Sequence, residues 1–354
     1  MRKGSNTMSS AAHHATLSEL EARVAASLVA LRPCSAGIVV SRRGEVIFER
    51  YLEGVEPQQP RLPIDARALW PAFSTTKSYS AALLLSLAHE GLLALDDPVS
   101  RYLPAFAQPG AGRYSRRDVT LRHLASHTSG ASLSREAMDI EVKGRTFDLA
   151  DIHIVTPPGV DYLYSGLGMY LLERAVEAAA GRDWGELMRQ RILDPLGLAD
   201  TGYVYAYDAA RPLLPCLPGD SPDPASHYVF VTKGGRAGSG LYATARDFNR
   251  FGQLWLGQGT FEGRAYFSPA LQREAWRYHG MRASDNGRYG LLWWLFEDDG
   301  GYVMSGMGHV VVAVVPESGV VVTVARNRIS HIPGPFDYYE DKRALVRIGK
   351  QLAL

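Results

Sequence analysis

Leu20, Val24, Leu28 and Leu31 recur at helical spacing behind Thr16-Leu17-Ser18-Glu19, whose pattern fits a capping box, so an amphipathic helix is expected to start there. After Pro33 the period shortens to two. Ala36 to Ser41 and Glu45 to Tyr51 are short β-branched runs around Arg42-Arg43-Gly44, a hairpin signal. An apolar pattern then predicts a helix from Thr75 to Leu93, stopped by Gly91 and by Leu95-Asp96-Asp97-Pro98. Further helices are expected at Thr120 to Ala125, Gly168 to Ala180, Trp184 to Leu193 and Ala243 to Leu256, with Gly181 separating the second and third. Pro212 to Pro224 is proline-rich and reads as an irregular surface excursion. Strand patterns return at Tyr289 to Phe296, Val310 to Val315 and Val320 to Ala325, the last two joined by the turn Pro316-Glu317-Ser318-Gly319. Arg343 to Leu352 closes the chain as a helix.

Strand patterns therefore lie at both ends and helical ones between them. This order predicts a mixed α/β (α+β) protein whose sheet is assembled from both ends of the chain, with a helical region inserted. The expected division is a disordered lead-in over residues 1–15, a sheet-and-helix domain from 16–95 and 231–354, and a helical subdomain over 96–230.

Composition narrows the function classes. The chain has 354 residues, 46% hydrophobic and 21% charged, which excludes disorder as the dominant state. A net charge of +1 with both signs scattered gives no electrostatic footprint for nucleic acid or an anionic membrane. No apolar run reaches membrane-spanning length, and no apolar core follows Arg2 and Lys3, so a soluble, cytoplasmic protein is expected. Cys34 and Cys216 are the only cysteines, have no C-x-x-C spacing, and are read as free thiols.

Ser74-Thr75-Thr76-Lys77 is the only S-x-x-K in the chain. Residues three apart share a helix face, which brings the serine hydroxyl within reach of an amine. Lysine can take a proton when burial or neighbouring charge lowers its pKa, whereas arginine cannot. The basic residues are almost all arginine, and the lysines are only Lys3, Lys77, Lys143, Lys233, Lys342 and Lys350. A bare S-x-x-K is usually a helix cap with a solvated lysine after it, but an ordered set of motifs downstream of Lys77 reverses that reading.

Phe73-Ser74-Thr75-Thr76-Lys77, Glu90-Gly91-Leu92 and Leu95-Asp96-Asp97-Pro98 resemble the serine beta-lactamase-related superfamily, in its class C-like branch of esterases, penicillin-binding enzymes and amidases. The likeness continues in order through Thr120 to Gly130, Pro157-Pro158-Gly159 with Tyr164-Ser165-Gly166, Pro195-Leu196-Gly197-Leu198, and Gly238-Ser239-Gly240-Leu241-Tyr242. It implies a beta-lactamase/transpeptidase-like fold, an antiparallel sheet flanked by helices plus an all-helical subdomain, with the active site in the cleft between them.

By the same resemblance Ser74 is the nucleophile, and Lys77 and Tyr164 are its proton-relay partners. Tyr162 is the nearest rival to Tyr164, but its register does not match. Gly166 stands where the family has asparagine and offers no side-chain amide; Ser165 is a candidate replacement hydroxyl. The third family element, a strand carrying Lys-Thr-Gly or His-Ser-Gly, has its best counterpart in Met304-Ser305-Gly306, so Met304 replaces a cation that would hold a substrate carboxylate. Ser305, Gly306 and Met307 are the expected substrate-binding residues there, with the Met307 and Ser74 N–H groups as the oxyanion hole. His309 is a further pocket candidate, although a lone histidine is more often structural. His123 and His127 lack the carboxylate of an H-E-x-x-H and are read as structural. Trp293, Trp294, Tyr338 and Tyr339 are read as core or pocket wall, not as an aromatic cage.

The expected activity is hydrolysis of an ester or amide through an acyl-enzyme on Ser74, with esters favoured because an alkoxide leaves more readily. The expected partner is a small-molecule substrate, and these steps need no metal or organic cofactor. Amidase, D-peptidase or weak beta-lactamase activity is the alternative within enzymes, and a catalytically silent binding protein on the same fold is the alternative outside them.

Overall fold

A computed structural model describes residues 4–31, 34–54, 64–107, 113–133, 147–203, 236–280, 288–328 and 336–353. Cys216 and the Pro212–Pro224 excursion lie outside these residues, while Cys34 is a buried free thiol.

Helix α1 (Gly4–Ala30) begins well ahead of the expected cap. Residues 4–15, expected to be disordered, form its first turns. Ala11, Ala12 and Ala15 cost little to place in a helix. Thr16 donates back to the Ala12 carbonyl at 3.1 Å instead of capping, and the His13 ring bonds the Ala353 carbonyl at 2.8 Å.

Strands β1 (Ala36–Arg42) and β2 (Glu45–Leu52) form the expected hairpin, with Arg43 and Gly44 at φ 52° and 90°, the left-handed pair a tight hairpin turn requires. The C-terminal part supplies β3 (Arg288–Tyr289), β4 (Trp294–Phe296), β5 (Gly301–Ser305), β6 (Val311–Val315) and β7 (Val320–Arg326). Together they make a 7-stranded sheet in the order β2-β1-β7-β6-β5-β4-β3. Every pair is antiparallel, and β1 meets β7 with Val39 opposite Thr323. The run Tyr289 to Phe296, expected as one strand, is split. Leu292 takes φ 60°, its N–H bonds the Ala125 carbonyl at 3.0 Å, and its carbonyl accepts from Ser78 at 2.8 Å. The break thus fastens the sheet edge to the helices.

Both faces of the sheet are covered, which explains why β6 and β7 read as continuous valine runs. Ile38, Val311, Ala313 and Val315 pack with Leu20, Val24, Leu345 and Ile348 on one face. Val39, Val312, Val314 and Val321 join Phe248 and Phe251 on the other. Helix α2 (Thr76–His89) is buried from Thr76 through Leu87. Such a helix has no solvent stripe and runs through the middle of the molecule. Around it lie α3 (Leu121–Ala125), α4 (Gly166–Ala180, ended by Gly181 at φ 64°) and α5 (Ala245–Leu256). Helix α6 (Tyr338–Gln351) returns to the sheet, anchored by a fully buried Arg326–Asp341 ion pair at 2.9 Å. Among the described residues no helix is long and apolar enough to cross a membrane.

Candidate active site

Ser74 sits in a single 3-10 turn, Phe73–Thr75, that leads directly into α2. In such a turn residues three apart nearly eclipse, so Ser74 and Lys77 are drawn closer than on an ideal α-helix. Lys77 Nζ lies 3.2 Å from Ser74 Oγ, and the Tyr164 hydroxyl donates to the same Oγ at 2.6 Å. The three groups expected from the sequence therefore converge on one oxygen. Phe73 immediately before the serine has φ 45°, a left-handed conformation that is strained for an aromatic residue. The turn is gripped from outside: Ala72 N–H bonds the Leu241 carbonyl at 2.8 Å, and Thr76 Oγ1 accepts from Leu241 N–H at 3.3 Å.

Lys77 is only 5% exposed, and a buried ammonium needs partners. It donates to the Gly238 carbonyl at 2.7 Å and lies 4.6 Å above the centre of the Tyr164 ring. The ammonium thus stands beside the oxygen that carries negative charge once Tyr164 has given up its proton. The Gly238 carbonyl is held in place by its neighbours. Ser80 donates to the Ala237 carbonyl at 2.7 Å, and Ala237 N–H bonds Glu173 at 3.0 Å. The sequence showed Gly238-Ser239-Gly240 as part of a pattern without revealing this use, because the acting group is a backbone oxygen. Only the small size of Gly238 hinted at it: a Cβ there would sit 3.2 Å from Met169 and 3.7 Å from Lys77 Nζ.

Tyr164 has no regular secondary structure, and His127 fixes it. Leu163 N–H bonds the His127 carbonyl at 2.7 Å, Ser165 N–H bonds His127 Nδ1 at 3.2 Å, and the imidazole packs 4.5 Å from the Tyr164 ring. The residues on both sides of the tyrosine are therefore tied to one histidine. Burial, then the Lys77 charge, hold that imidazole well below the usual histidine range, consistent with a neutral ring accepting at Nδ1. His127 is a structural residue of the site itself. His123, by contrast, closes a capping box with Thr120 at the start of α3. Tyr162 remains apart from the serine, its buried hydroxyl unpartnered among the described residues.

Ser165, the candidate replacement hydroxyl, is placed as a helix cap. Its Oγ accepts from Gly168 N–H at 2.9 Å as the N-cap of α4; Gly166 is the first residue of that helix.

The end of β5 abuts the serine turn. A Cβ on Gly306 would stand 2.2 Å from the Ala72 carbonyl oxygen and 3.1 Å from Ser74 N, so only glycine allows this approach. Gly306 N–H bonds the Val310 carbonyl at 3.1 Å and His309 N–H bonds the Gly306 carbonyl at 2.8 Å. Among the described residues no such turn bond uses the Met307 N–H. Met304 is buried at 1% exposure in the apolar cluster shared with α2 and brings no charge.

His309 packs against Phe336 and Tyr338 at 5.4 and 4.4 Å, at φ 62°. Burial, reinforced by the Arg326 charge, pushes its imidazole down to about 3, whereas a histidine in an unfolded chain titrates near ~6.5. Between those values the unfolded state binds the extra proton. Stability from this residue is full above about pH 6.5 and declines as pH falls towards the folded value. The expected result is that His309→Gln, which cannot titrate, flattens the acid limb of a plot of Tm against pH. An unchanged slope rejects the assignment.

A serine, a lysine and a tyrosine converging at the foot of a buried helix, beside an antiparallel sheet, define a beta-lactamase/transpeptidase-like fold of the serine-hydrolase type. The chain belongs to the Beta-lactamase family, whose model matches residues 23–343. It is 31% identical to esterase EstB of Burkholderia gladioli over 192 residues, 49% of this chain and 48% of that protein. It is 29% identical to the D-alanyl-D-alanine-carboxypeptidase/endopeptidase AmpH of Escherichia coli (strain K12), over 53% of this chain and 49% of AmpH. The matches thus span about half the length of these two relatives. Among solved structures, EstCE1, described as a hydrolase with promiscuous acyltransferase activity, superimposes with a TM-score of 0.71 at 17% identity, covering 96% of this chain and 98% of that one. That likeness speaks for the fold.

Proposed function

We propose that this chain is a serine esterase that works through an acyl-enzyme on Ser74. The observation that carries the reading is the placement of Lys77 Nζ and the Tyr164 hydroxyl at 3.2 and 2.6 Å from one serine oxygen. Ser74 Oγ attacks the ester carbonyl carbon while its proton passes to Tyr164 in its phenolate form, which the neighbouring Lys77 ammonium stabilises, and the N–H groups of Ser74 and Met307 hold the oxyanion. The alkoxide leaves with the proton returned to it. Water then attacks the acyl-enzyme and gives a proton to the same pair, which hands it to the departing Ser74 Oγ as the carboxylic acid is freed.

Esters are favoured over carboxylate-bearing amides because Met304 offers no cation and Gly166 no amide. A charge-assisted hydrogen bond is worth roughly 1.5–3 kcal/mol, so its absence costs such substrates about 10- to 100-fold in kcat/KM. Amide or D-peptide hydrolysis with weak beta-lactam turnover is the second reading, supported by the likeness to AmpH. The test is kcat/KM for p-nitrophenyl acetate and butyrate beside a penicillin and a peptide ending in D-Ala-D-Ala. The esters are expected to lead both; a penicillin or D-peptide turned over as fast as the esters overturns the preference.

A further inference from the structure

Beyond the serine, lysine and tyrosine, we propose that Tyr338 is a positioning residue for the oxyanion hole, holding the Gly306–Met307 peptide from behind by its carbonyl. The inference rests on the reading of the Met307 N–H as an oxyanion donor. A trans peptide is planar, with its C=O and N–H pointing to opposite sides. Whatever fixes the Gly306 oxygen therefore fixes the direction of the Met307 N–H. Tyr338 donates its hydroxyl to that oxygen at 2.8 Å, and His309 N–H supplies a second bond at 2.8 Å.

Tyr338 is itself firmly seated. It is the first residue of α6, directly after the N-cap Asp337, whose side chain accepts from Tyr339 and Glu340 N–H. One turn on, Lys342 is buried without an ion pair among the described residues. Its Nζ lies 4.6, 4.7 and 5.5 Å from the ring centres of Trp294, Tyr338 and Tyr339. These aromatics, read from sequence as core or pocket wall, thus form a cage around the protein's own lysine. Burial pushes this lysine down to about 8, against the upward pull of Asp337 and Asp341. A cation over the face of a phenol holds the ring by cation–π attraction. The buried Arg326–Asp341 pair then fixes the same helix turn to β7. Its hydroxyl also meets the Ser305 side chain; among the described residues no hydrogen bond joins Tyr338 to Ser74, and it acts through the peptide.

The experiment compares wild type, Tyr338→Phe and Ser74→Ala with p-nitrophenyl butyrate and with an alkyl boronic acid, whose adduct on the serine mimics the tetrahedral intermediate. Tyr338→Phe keeps the ring and its cage. Losing the hydroxyl that bonds the Gly306 carbonyl and the Ser305 side chain is expected to lower kcat about tenfold with KM within about twofold. The boronate inhibition constant should weaken by the same factor, a parallel that a merely structural loss would not produce. Should Tyr338→Phe fail to fold, Lys342→Met, which loosens the ring but keeps the hydroxyl, is expected to give a smaller loss, about threefold, in both kcat and boronate affinity. Unchanged kcat and boronate affinity in the folded variant overturn the proposal. If Ser74→Ala is inactive while Tyr338→Phe behaves as wild type, the nucleophile stands and this positioning falls. If Ser74→Ala retains turnover, both fall.

Discussion

Ser74→Ala is expected to lower ester turnover by at least about 10,000-fold, because attack, acyl-enzyme and deacylation all pass through one oxygen. Wild-type protein exposed to a fluorophosphonate should gain a single adduct by intact mass, and the variant none. The fold should hardly notice the change. Ser74 is partly exposed, and Lys77 keeps its bond to the Gly238 carbonyl, so Tm should stay within about 2 °C of wild type. That separation distinguishes a lost nucleophile from a lost structure. No adduct on well-folded wild type would favour a binding protein on this fold, with Gly166 and Met304 the first suspects. Full turnover by folded Ser74→Ala would reject the mechanism.

The reach of the sequence depends on the nature of the contacts. Ser74 and Lys77 were readable because they are three residues apart on one turn, where spacing alone dictates proximity. Tyr164 needed the resemblance, since no local rule joins it to Ser74 across a separation of 90 positions. The sheet came through as valine runs and hairpin signals, whereas the early start of α1 and the break at Leu292 depend on partners across the molecule. Least readable were groups that act through the backbone or through unusual conformations. His127 read only as a structural histidine, yet it takes φ 57° and holds the chain on both sides of Tyr164. Phe73 and His309 share the left-handed conformation. Non-glycine residues rarely adopt it, and no pattern of side-chain types announces it. All three lie beside the walls of one site, the serine turn, the tyrosine loop and the end of β5. Local strain of this kind is held in place by surrounding packing and gathers where geometry must be fixed. Ser165 shows the same limit: the sequence places its hydroxyl beside the site but does not reveal that its oxygen caps a helix.

Lys77 and Tyr164 should behave as one device. Both bond Ser74 Oγ, and the lysine charge lies over the tyrosine ring, so the three groups lie on one route for the serine proton. Removing either partner leaves the other without the charge or the acceptor it works with. Lys77→Met keeps most of the buried stem but strands the Gly238 carbonyl, while Tyr164→Phe keeps the ring that packs on His127. Each is expected to lower kcat/KM for p-nitrophenyl butyrate about 1,000-fold, through kcat far more than KM, as for a group whose contribution arises in the transition state. If the two acted independently, the double variant would lose about a million-fold. For a shared relay it should fall no more than about tenfold below the weaker single variant, since the first substitution has already disabled the route. The double-mutant cycle therefore reads the coupling directly. A fully additive double variant would assign the lysine and tyrosine to separate steps, and a near-normal Tyr164→Phe would leave Lys77 as the sole base.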